Sequence, residues 1–118
     1  MSPLNTFIVL LAVHFVADFM FQTHWQASNK SKSNYALARH VSTYTLCLAI
    51  ATIPLFGFAI AGPFVVVNGV LHFVTDYFTS RASSKLYAKQ EWHNFFVVIG
   101  FDQLIHQSTL AATMQLLT

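Results

Sequence analysis

Apolar residues run along this chain in four long blocks, separated by short stretches where polar residues collect. The blocks cover residues 4–21, 35–56, 63–79 and 92–117. A helix needs about 20 mostly apolar residues to cross a hydrocarbon core, so the pattern predicts four membrane-spanning helices. Gly57 and Gly62-Pro63 read as the turn between the second and third. Pro63 suits a first helical turn, where its missing N–H has no partner to lose, and Pro54 is expected to kink or end the second helix. Little chain is left over. The reading is one all-α domain over residues 1–118, a polytopic four-transmembrane-helix bundle.

Composition agrees with the pattern. Only 8% of the 118 residues are charged, against about 25% in an ordinary soluble domain. No Asp, Glu, Lys or Arg occurs from Val41 to Thr75, and Asp102 is the only one from Asn94 to Thr118. The hydrophobicity excludes disorder, and the absence of a dense basic surface excludes nucleic acid as a partner. The lipid bilayer is the remaining solvent. The lone Cys47, in an apolar run, is expected to act as a small core hydrophobe. The first block lacks the preceding Lys or Arg of a cleavable secretory signal, so it is expected to be retained.

Charge then orients the spans. Lys30, Lys32 and Arg39 fall in or beside the first connection, and Arg81, Lys85 and Lys89 in the third. Four spans put those connections on one side, and the positive-inside rule makes that side cytoplasmic. The expectation is a multi-pass membrane protein with both termini outside the cytoplasm. Trp25 and Trp92 sit at the cytoplasmic helix ends, as interfacial aromatics do. The same six cations are also placed to hold an anionic lipid head group.

A short repeat crosses the two halves. His14-Phe15-Val16-Ala17-Asp18-Phe19 recurs as His72-Phe73-Val74-Thr75-Asp76-Tyr77, and His40-Val41-Ser42-Thr43 resembles His106-Gln107-Ser108-Thr109. Each half would be a helix pair, the two related by a pseudo-twofold axis along the membrane normal.

The repeat carries the candidate chemistry. His-x-x-x-Asp puts both side chains on one helix face, with Cβ atoms about 5–6 Å apart. Helix four bears the reverse order, Asp102-x-x-x-His106, and helix two adds His40. With the helical rise of about 1.5 Å per residue, most of these groups fall in one layer of the cytoplasmic half, with His106 deepest at about 20 Å. No Lys or Arg is expected at that depth. Carboxylates there must be protonated, paired with His⁺ or neutralised by a cation, and imidazole with carboxylate is a common donor set for divalent metals. Simple interhelical hydrogen bonding is the plainer alternative.

His14-x-x-x-Asp18-x-x-x-Gln22-x-x-Trp25, Lys30, His40, His72-x-x-x-Asp76 and Asp102-Gln103-x-x-His106 follow one another in an order that resembles the small bacterial and phage membrane family known as domain of unknown function 3307. The resemblance covers nearly the whole chain and implies no established activity. One departure is visible: the family often has a Lys soon after the second His-x-x-x-Asp, where this chain has Phe78 and Thr79 before Arg81. The site is also similar in style to membrane-bound metal-dependent hydrolases.

The expected function is a metal-dependent hydrolase acting on a lipid or lipid-linked head group. His14, Asp18, His72, Asp76 and His106 would ligate one or two divalent ions, zinc first, with manganese or iron as alternatives. His40 would complete the shell, and Asp102 would bridge or act as general base. Gln22, Asn68 and Gln103 would orient the ligands. The competing reading is a small proton-coupled transporter, or an ion or proton pathway, in which one or two carboxylates are essential and no metal is bound. A membrane-disrupting protein of phage type has little need for so many buried polar groups. A homodimer is the expected assembly, although Gly69 alone is thin support for a packing face.

Overall fold

The computed structural model describes all 118 residues. Helix α1 (Pro3–Phe15) runs on without a break into a π-helical turn, Val16–Met20. A short helix α2 (His24–Asn29) follows, then the long helices α3 (Asn34–Phe56), α4 (Phe58–Ala88) and α5 (Trp92–Leu117). The long helices pack side by side in a body of 45 × 27 × 21 Å. By length and composition α1 with its π turn, α3 and α4 can each cross a membrane. α5 is 26 residues long but carries Asp102, Gln103, His106 and Gln107 near its middle.

The burial pattern is inverted relative to a soluble protein. Of 26 buried residues, 14 are polar or charged, while large apolar side chains such as Ile8, Leu46, Ile50, Val66, Phe96 and Leu104 stand exposed. In water that surface would be a liability; against lipid tails it costs nothing.

The predicted segments and the helices agree closely at 4–21, 35–56 and 92–117. The third does not. α4 begins at Phe58 and ends at Ala88, so Gly62-Pro63 lies within a helix and the turn is Gly57 alone. Gly57 has φ 80° and ψ 165°, a region open only to glycine without strain. Pro54 falls two residues before the end of α3. At the other end, the polar stretch Ser80 to Lys85 stays helical, with Ser80 and Ser83 buried. Helix α2 was not expected either. It is fixed by a capping box in which the Thr23 hydroxyl accepts from the Gln26 N–H and the Gln26 side chain accepts from the Thr23 N–H.

Two features bring the site helices together. A Cβ on Gly69 of α4 would lie 2.8 Å from Thr45 Oγ1 of α3, so the absence of a side chain lets these helices approach closely. The glycine therefore serves packing within the chain. The π turn widens α1 where Ala17 and Asp18 turn inward, and both are buried. Such single π turns recur at functional sites.

Candidate metal centre

Asp18 from the π turn, His40 from α3, and His72 and Asp76 from α4 converge on one buried point. His40 Nε2 lies 2.9 Å from Asp18 Oδ1 and 3.3 Å from Asp76 Oδ2. His72 Nε2 lies 3.4 and 3.2 Å from the same two oxygens, and the two Nε2 atoms are 3.2 Å apart. Each of the four residues is at most 4% exposed. Neither His40 nor His72 engages its Nδ1, so both rings commit their only polar contacts to this point.

Hydrogen bonding alone fits these distances poorly. If both Nε2 atoms carry hydrogens, two donors face one another at 3.2 Å. If one is bare, its lone pair faces carboxylate oxygens within 3.4 Å. A cation among four lone pairs removes the conflict. In a tetrahedral shell with bonds of about 2.0–2.1 Å, neighbouring donors sit about 3.3–3.4 Å apart, close to the 2.9–3.4 Å observed. The nest can hold a metal ion.

α5 closes the other side. His106 Nε2 lies 3.0 Å from Asp76 Oδ1 and 3.2 Å from Asp102 Oδ2, and the His106 ring stacks on His72 with centroids 3.9 Å apart. His106 is therefore in the same layer as the others and not deeper. The reason is that α4 runs on to Ala88, past its expected end at residue 79, so Asp76 stands 12 residues before the end of α4 and meets His106, 14 residues after Trp92. Asp102 Oδ1 also accepts a bond from the Thr79 hydroxyl.

His14 belongs to a different part of the network. Gln103 Nε2 donates to Asp18 Oδ2 and to Asp102 Oδ2 at 3.1 and 3.0 Å, which turns its Oε1 toward His14 Nε2 at 2.8 Å. Reversing the amide would press Oε1 against two carboxylates, so His14 Nε2 is the donor. Its Nδ1 then accepts from the Tyr44 hydroxyl at 2.8 Å. With both nitrogens engaged, His14 supports the nest through Gln103 and is not placed as a ligand. The two His-x-x-x-Asp motifs thus hold their histidines differently.

Lys30 is the surprise. Its Nζ lies 3.3 Å from Asp76 Oδ2, so the buried carboxylates do meet a cation, delivered from the end of α2. This also supplies a basic contact at Asp76 that residues 78 and 79 do not. Asn68 goes elsewhere: its amide donates to Phe64 O and Thr113 Oγ1, toward the opposite end of the bundle. The Gln22 side-chain oxygen is buried without a partner.

A cavity of about 600 Å³ opens beside the nest, and Asp18, Gln22, Lys30, Lys32, Asp102 and Gln103 are among its lining residues. The remaining cations lie outside it. Arg39 bonds the Tyr35 hydroxyl and Arg81 bonds Asn34 Oδ1 and Tyr77 O, while Lys85 and Lys89 are exposed.

Tyr44 was not singled out in the sequence, where it is one of many aromatics. It is 1% exposed, and its ring stacks on His72 at 3.9 Å. Its i+4 spacing from His40 was the available signal.

Residues 6–118 match the family model described as a protein of unknown function, DUF3307. The chain belongs to the DUF3307 family. No curated protein and no solved structure matches it. For this family member the arrangement of the site is therefore what bears on function.

Proposed function

We propose that this chain is an integral membrane metalloprotein, a four-helix bundle of a bacterial inner membrane with both termini outside, whose His/Asp nest serves hydrolysis of a lipid or lipid-linked head group. The observation that carries the reading is the convergence of His40 Nε2 and His72 Nε2, 3.2 Å apart, between two carboxylates. Asp18, His40, His72 and Asp76 would hold the ion, which supplies Lewis-acid polarisation and a water of lowered pKa. His40, fully buried, is then a ligand and not a group that touches substrate.

The chain's own residues arrange the rest. Gln103 couples Asp18 to His14, and Tyr44 fixes the ring of His14. Lys30 and Lys32 line the cavity at the end where the basic connections gather, which suits an anionic head group entering from the inner leaflet. Asp102 and Gln103 form the wall between cavity and nest. One helical turn beyond His14, His106 and His72, Leu10, Leu110 and Asn68 are buried, and the Asn68 amide donates to Thr113 Oγ1.

Elemental analysis of detergent-purified protein tests the reading, with wild type compared to His72→Ala and Asp76→Ala. About one or more divalent ions per chain, lost in both variants, is expected. Less than about a tenth of an equivalent in wild type purified without chelator sinks it.

A further inference from the structure

Asp18 and Asp76 each face two ways. Asp18 Oδ1 lies in the nest, 2.9 Å from His40 Nε2, while its Oδ2 accepts from Gln103 at 3.1 Å. Asp76 Oδ2 lies in the nest, 3.2 Å from His72 Nε2, while its Oδ1 lies 3.0 Å from His106 Nε2. The outward oxygens look toward a second donor set on α5, where His106 Nε2 and Asp102 Oδ2 are 3.2 Å apart. One ligand atom from each of Asp18, Asp102 and His106 falls within 4.8 Å of the others, and all three residues are buried.

We propose that the centre is dinuclear. A second divalent ion is held by Asp102 and His106, and the carboxylates of Asp18 and Asp76 bridge it to the ion in the nest. The inference rests on the reading of the nest as a metal site. A carboxylate that offers one oxygen to each of two donor clusters has the form of a bridge, and two-metal centres with ions about 3.5–4 Å apart are built in this way. Gln103 marks the same point: its amide hydrogens, partial positive charges, sit between Asp18 Oδ2 and Asp102 Oδ2.

Charge gives the second ion a purpose. Asp18, Asp76 and Asp102 with Lys30 leave two negative charges at the site. One divalent ion cancels them, and a second leaves a doubly positive site next to the cavity. A phosphorylated head group offsets that charge. Of the ligands, Asp18 and Asp102 line the cavity whereas His40, His72, Asp76 and His106 do not. Substrate would therefore meet the centre on its Asp18–Asp102 side. Asp102 is thereby a ligand and not the proton acceptor.

Manganese loading of detergent-purified full-length protein tests the proposal, read by metal content and electron paramagnetic resonance. Wild type is expected to bind about two ions per chain with an exchange-coupled spectrum. Asp102→Asn and His106→Gln are each expected to bind about one, with the hyperfine pattern of isolated manganese. Both replacements keep side-chain size, and gel filtration checks that each variant remains a folded, monodisperse particle. One ion per chain in wild type, isolated in its spectrum and unchanged by Asp102→Asn, overturns the second site while leaving the nest intact. No bound ion in wild type overturns both.

Discussion

Lys30 Nζ lies 3.3 Å from Asp76 Oδ2, joining the end of the short helix α2 to a carboxylate at the heart of the bundle. Asp76 also lies against His40, His72 and His106. One carboxylate thus collects four potential positive charges, and a metal bound there would have to compete with them.

Replacing Lys30 with Met removes an ammonium that repels an incoming cation. At a separation near 4 Å and intermediate dielectric, such a repulsion amounts to a few kcal/mol. Lys30→Met is expected to raise divalent-metal affinity on the order of tenfold or more, measured by competition with a chelating dye. Unchanged or weaker affinity would show that Lys30 acts on the head group alone.

Tyr44→Phe deletes the hydroxyl that donates to His14 Nδ1 at 2.8 Å. The ring still stacks on His72, but the tautomer of His14 is no longer imposed. Because His14 reaches the nest only through Gln103, metal affinity is expected to fall by about tenfold or less, below the roughly 10–100-fold typical when a ligand's own partner is removed. The metal-to-protein ratio at saturation should stay as in wild type, and a lowered ratio would move Tyr44 into the ligand set.

Gly69→Ala places a methyl group 2.8 Å from Thr45 Oγ1, whose own hydrogen bond to Val41 O holds it in place. Overpacking of this kind costs about 1–3 kcal/mol, read by thermal or denaturant unfolding in detergent. Thr45→Ala should recover part of the loss when combined with Gly69→Ala. Strict additivity of the two changes would contradict the contact.

Orientation is testable through the single thiol. In a Cys47→Ala background, Lys85→Cys sits on the exposed end of α4. A membrane-impermeant maleimide should label it in inside-out vesicles and spare it in intact cells. The reverse pattern would invert the proposed topology.

The helices were legible because hydrophobic content is summed over many residues, so the blocks 4–21, 35–56 and 92–117 do form helices, although the last is not apolar enough to count among the three candidate spans. The third block read short because Ser80, Arg81 and Ser83 look like a connection, whereas α4 keeps its ladder by packing them against its neighbours. Pro63 misled in the same way, since one missing N–H costs less than ending a helix that tertiary contacts hold. Spacing alone exposed Asp18, His72, Asp76, Asp102 and His106, because residues four apart on a helix are neighbours. It could not separate His14 from His72. That difference lies in what each imidazole meets on other helices, Gln103 and Tyr44 in one case and His40 with two carboxylates in the other. The π turn at Val16–Met20 has no counterpart in the residue pattern that marks it in advance.

If the nest holds a divalent ion as proposed, the tether from α2 makes cation capture at Asp76 an exchange. An arriving divalent ion competes with an ammonium the chain carries, and whatever it displaces can swing only as far as a lysine stem allows, toward the adjoining cavity. Release of Asp76 therefore delivers positive charge to the chamber where an anionic head group would be received. Loading the centre and readying the cavity for an anion would then be two sides of one movement.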